Sequence, residues 1–84
     1  MSAEPTMAHG PHRPRVGELW RLTGSIVVAP SGEMIRIPTG TPFTVLSRHE
    51  GTIGWESWVL FGNGIAGCVS DHCNLITRIS DAAR

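Results

Sequence analysis

The chain has no lysine and no tyrosine among its 84 residues, and only two phenylalanines, three tryptophans and two cysteines. All seven cations are arginines, set against seven acids, so the formal net charge is zero with histidine neutral. A chain without a cationic excess does not read as a nucleic-acid binder, because affinity for phosphate grows from clustered positive charge. Without tyrosine it also lacks the aromatic pavement on which a polyproline reader stacks its ligand. No apolar run approaches membrane-spanning length, and the start shows no basic stretch followed by an apolar one, so neither a membrane span nor a secretory leader is expected. The expected location is the cytoplasm, with Cys68 and Cys73 kept as reduced thiols in place of a disulfide. Missing too is any helical period of useful length, which leaves strands as the structural currency.

What is present falls into three parts. Residues 1–15 carry three prolines, one glycine and almost no large apolar side chain besides methionine, which reads as an extended arm containing Pro, His and Arg. Residues 16–80 form the folding unit, and residues 81–84 a short tail. In a unit of that size core burial and chain entropy nearly cancel, so self-association or docking on a protein partner is expected.

Along the folding unit, period-2 alternation places Trp20 and Leu22 on one face of a first strand and Leu19 on the other. Ser25 to Ala29 is a β-branched second strand ending at Pro30-Ser31-Gly32, a tight-turn sequence. Glu33 to Ile37 follows, with Ile35 and Ile37 inward and Met34 and Arg36 outward. Pro38 stops it, and the cluster Pro38-Thr39-Gly40-Thr41-Pro42 is expected to stay out of a central ladder. Phe43 and Val45 then alternate against Thr44 and Leu46, and Glu50 to Gly54 makes the next reversal. Trp55 to Phe61 and Ile65 to Ser70 pair as a hairpin through Asn63-Gly64, the dipeptide that best tolerates the positive φ of a type I′ turn at both central positions. Asp71 to Asn74 suggests a single helical or 3₁₀ turn, and Leu75 to Ile79 a closing strand.

About five to seven short antiparallel strands with frequent turns define an all-β fold, a small barrel or sandwich. A hairpin that runs through one tight turn into a final short strand resembles the SH3-like barrel over residues 16–79. An oligonucleotide-binding barrel, the rival fold, usually needs a longer chain and a helix between strands. Within this likeness, the segment from Gly67 to Ile79 is similar to the last part of the plasmid-borne type II dihydrofolate reductases. Those are chains of similar size with an N-terminal leader, working as tetramers around a central pore. The resemblance would imply a pore-lining role for Val69, Ser70, Asp71 and His72. Only Val69 matches the family's Val-Gln-Ile-Tyr, and no lysine stands in for its basic pore residue.

Chemistry-bearing residues are sparse. Cys68, His72 and Cys73 form Cys-x-x-x-His-Cys, a set of soft-metal ligands that Asp71 or His49 would complete. All three lie within six residues, however, and alternation points Cys68 away from the face that Val69 presents. A half-buried thiol, a surface histidine and a second core thiol account for them without a metal, so no metal and no cofactor is expected. A cysteine nucleophile beside His72 would need an orienting group that the sequence does not display. The expectation is therefore a non-enzymatic structural or protein-binding module of an oligomer or larger assembly, of the kind a phage or plasmid encodes, in a virion in the phage case. Its interface candidates are Trp20, Trp55 and Trp58, with Trp55 and Trp58 on opposite faces of one strand, and the guanidiniums of Arg13, Arg15 and Arg36. Nucleic-acid binding would require Arg21, Arg36, Arg48 and Arg78 on one face.

Overall fold

The computed structural model describes residues 13–80; most of the arm and the tail 81–84 lie outside the described residues. Seven strands run in the order β1 (Leu19–Leu22), β2 (Ile26–Val28), β3 (Ile35–Ile37), β4 (Pro42–Gly51), β5 (Gly54–Phe61), β6 (Ala66–Ser70) and β7 (Ile76–Ser80). Five of them make one antiparallel sheet in the order β6-β5-β4-β1-β7, and β2 and β3 pair as a separate hairpin. The fold is all-β, as the alternation of the sequence requires.

The core is the inner face of the sheet closed by that hairpin. Trp20, Leu22, Phe43, Val45, Val59 and Phe61 supply its sheet side, and Val28 and Ile37 come from β2 and β3. Phe43 and Phe61 sit opposite in register, with ring centroids 5.4 Å apart in an edge-to-face contact. Gly67 is where the hairpin meets the sheet most closely: a Cβ there would lie 2.9 Å from Val28 Cβ. A glycine at that point of β6 lets the hairpin close on the core.

The chain is packed from the start of the described region. Pro14 is fully buried, and the Arg15 amide donates to Glu18 Oε1 at 2.9 Å. Glu18 is itself only 4% exposed and also accepts from Trp20 Nε1 at 3.0 Å and Arg78 Nη1 at 3.3 Å. This buried carboxylate, which the alternation pattern does not reveal, ties the entry of the chain to β1 and β7.

Four local expectations are corrected. The Asn63-Gly64 turn is not type I′: among the described residues no non-glycine residue has positive φ, so within this turn Asn63 does not and Gly64 does, at 90°. Gly64 N donates to Phe61 O and Phe61 N to Ile65 O, so the loop has three residues, a type I turn closed by a glycine bulge. Asn63 Oδ1 accepts the Ile65 amide, which holds the asparagine at negative φ. Asp71 to Asn74 is not helical; Cys73 N donates to Ser70 O across a plain β-turn. The reversal after β4 narrows to Thr52 and Ile53, with Gly51 and Gly54 paired. Finally, Pro42 opens the central strand, opposite Arg21, because a strand's first residue can lack a donor.

Candidate interaction face

One irregularity decides what each face of the sheet carries. Val45 pairs Val59 but Ser47 pairs Trp58, so Leu46 is an extra residue, a bulge in β4. Before the bulge Phe43 and Val45 point inward; after it the parity flips, and Arg48 turns inward against Ser57. Arg48 donates to Asp71 through both terminal nitrogens, Nη2 to Oδ2 at 2.8 Å, and to Ser57 Oγ at 2.9 Å. The two side chains are 14% and 6% exposed. The forked geometry satisfies a carboxylate that the β6–β7 turn buries, and the Asp71 amide adds a bond to Trp55 O. Trp55, 40% exposed, lies over the Arg48 guanidinium at 5.8 Å.

The outer face is of another character. Register carries Ala66, Leu60, Thr44 and Leu19 in one row across β6, β5, β4 and β1. Leu19, Thr44 and Leu60 line an open groove of about 280 Å³ rimmed by Pro42 and Gly62. Leu46 and Leu60 are each 44% exposed, and Ile79 is also exposed. Farther along the same face, Trp58 is half-buried beside Cys68. An antiparallel sheet with one solvated face ordinarily shows polar residues there.

The face ends in a polar group. His49, Glu56 and Cys68 bring one ligand atom each to within 4.8 Å of one another. His49 Nε2 is 2.9 Å from Glu56 Oε1 and 4.0 Å from Cys68 Sγ. Burial first, and then the Glu56 charge, push the Cys68 thiol above its ordinary value. The fold thus disfavours the thiolate, so stability falls as pH rises from the unfolded thiol's pKa through the raised one.

The residues singled out from sequence are thus distributed as follows. Trp55 and Trp58 do fall on opposite faces of β5, while Trp20 is 2% exposed and its indole is spent on Glu18, so no partner can reach it. Arg13, Arg15 and Arg36 are exposed, Arg36 donating to Ser25 on the separate hairpin. Cys68, His72 and Cys73 do not converge: the His72 ring bonds Ile53 O at 3.0 Å, and Cys73 packs against the core. The arginines do not make a basic face either, since Arg48 is held by Asp71 and Arg78 by Glu18. Sequence reasoning missed the Arg48–Asp71 pair and the His49–Glu56–Cys68 group, both created by the bulge. Among the described residues, no helix is long and apolar enough to cross a membrane. Comparison with protein-family models, curated proteins and solved structures gives no match to this chain.

Proposed function

We propose that the chain is a non-enzymatic SH3-like module that associates with a second copy of itself through the outer face of the five-stranded sheet. The observation that carries this reading is the row Leu19–Thr44–Leu60 in register across three strands, apolar but for the Thr44 hydroxyl and bordered by exposed Leu46 and Ile79. A second copy is favoured as the occupant by the zero net charge of the chain, which puts no repulsion between like surfaces. A two-fold interface also needs one self-complementary patch, and a flat apolar row meets that need. The strand order supports the SH3-like reading: the β2–β3 hairpin intervenes in the chain between β1 and β4, which pair directly with each other, and β7 returns to pair with β1.

Light scattering coupled to size exclusion tests this on the full chain. The expected result is a dimer that Leu60→Glu converts to a monomer with an unchanged far-ultraviolet spectrum. A wild-type chain that stays monomeric at high micromolar concentration would overturn the proposal.

A further inference from the structure

His49, Glu56 and Cys68 stand on the outer face of three consecutive strands, in places set by register. His49 pairs Glu56 across β4 and β5, and Cys68 pairs Trp58 across β5 and β6, one step along the same face. Two chemistries could use a cysteine, a histidine and a glutamate so disposed. A relay requires the imidazole to receive the thiol proton on one nitrogen while the carboxylate holds the other. Here both Glu56 Oε1 and Cys68 Sγ face the same nitrogen, Nε2. The three donors do not string out in a line; they converge on a point, which is the arrangement of a metal's ligands.

The separations fit. Around tetrahedral zinc, usual bond lengths put nitrogen and oxygen donors about 3.3 Å apart and nitrogen and sulfur donors about 3.6 Å apart. The observed 2.9 and 4.0 Å from His49 Nε2 each lie within about half an ångström of those values, while the Glu56 oxygen and Cys68 Sγ, within 4.8 Å of each other, must draw closer to share one ion. A glycine clears the space. A Cβ on Gly51 would stand 2.5 Å from the Glu56 carboxyl, so any side chain at residue 51 would push that carboxylate from its place over β4 beside His49. Gly51 has no positive φ, so its turn does not demand glycine.

We propose that His49 Nε2, a Glu56 carboxylate oxygen and Cys68 Sγ form a binding site for one thiophilic divalent cation of the zinc class, with a fourth position open to solvent. One nitrogen, one oxygen and one sulfur donor suit zinc better than magnesium or calcium, which take oxygen alone. On binding, the sulfur–metal bond forms as the thiol proton leaves to solvent, and no oxidant or reductant is involved. Gly51 is a positioning residue that acts through Glu56. The site is distinct from the apolar row and does not depend on self-association.

Cobalt(II), a spectroscopic stand-in for zinc, tests the site on the metal-stripped full chain under a phosphine reductant. Titration is expected to raise a sulfur-to-cobalt charge-transfer band that saturates at one ion per chain, and zinc to bleach it. Histidines elsewhere, including His9 and His12, cannot give that band. Cys68→Ser should abolish it; His49→Ala should weaken binding by on the order of 100-fold and Gly51→Ala by about 10-fold. His72→Gln and Cys73→Ser should leave it unchanged, which separates this group from the Cys-x-x-x-His-Cys alternative. Movement of the His49 ring resonances on zinc addition reads the same site in the unaltered protein. No charge-transfer band, a band that survives Cys68→Ser, or one lost equally in Cys73→Ser would overturn the proposal.

Discussion

At the residue scale, Asp71 carries the largest single consequence. Its carboxylate is 6% exposed and accepts both arms of Arg48, which also binds Ser57. A buried pair of this kind adds little net stability over an apolar pair of the same shape, because desolvation offsets most of its attraction. Breaking it is another matter, since the remaining ion stays buried and uncompensated. Asp71→Ala is therefore expected to cost about 3–5 kcal/mol, enough to leave so small a domain partly unfolded at 25 °C. Arg48→Met combined with Asp71→Leu should recover most of that loss. Urea unfolding followed by tryptophan fluorescence measures both, and a double variant no more stable than Asp71→Ala would refute the account. Neither residue announced itself in the sequence. Asp71 has the look of an ordinary turn aspartate and Arg48 of an outward strand residue, because strict alternation from Phe43 assigns Arg48 only by assuming that no residue is inserted.

At the element scale, the β5–β6 hairpin shows what sequence can and cannot specify. The two strands, and Val69 as an inward residue of the second, were legible from alternation because burial on one face enforces period 2; which face of β5 is buried was not, and the structure puts Val59 and Phe61 inside. The turn type was not legible, since Asn-Gly serves both a two-residue I′ loop and the last two places of a three-residue loop. Here Gly62 joins the loop, and only Gly64 takes positive φ. The two geometries respond differently to substitution. Gly64→Ala should destabilise by about 1–2 kcal/mol, the usual cost of a left-handed L-residue, whereas Asn63→Ala should cost less, since residue 63 needs no left-handed conformation. A type I′ turn would penalise both positions for backbone strain. Thermal melts of the two variants decide between them. The bulge at Leu46 was illegible for a similar reason: it depends on how β4 bends past β5, a tertiary matter with no local residue signature. The Arg48–Asp71 pair and the His49–Glu56–Cys68 group both depend on that bulge.

At the scale of the whole molecule, the described residues bury ten apolar side chains in one core, while Leu46, Leu60, Met34, Ile53 and Val16 remain at the surface. Small domains bury a modest share of their surface, so such a core sits close to the limit at which a chain holds itself folded. If a second copy covers the outer face, association and folding are linked, because a partner that binds only the native chain stabilises it by mass action. Each tenfold rise in protein concentration above the dissociation constant then adds about 0.7 kcal/mol per chain, half the dimer's gain, which for a domain of this size is a rise in melting temperature of about 3–5 °C. The wild-type melting temperature should climb with concentration in this way. Leu60→Glu should melt at one temperature throughout the range, near the dilute wild-type value, because Leu60 points away from the core and its replacement removes association without opening a cavity. A variant that melts far below the dilute wild type would instead place Leu60 in the folding core. A wild type whose melting temperature ignores concentration would mean that the apolar row remains open to solvent in the native state.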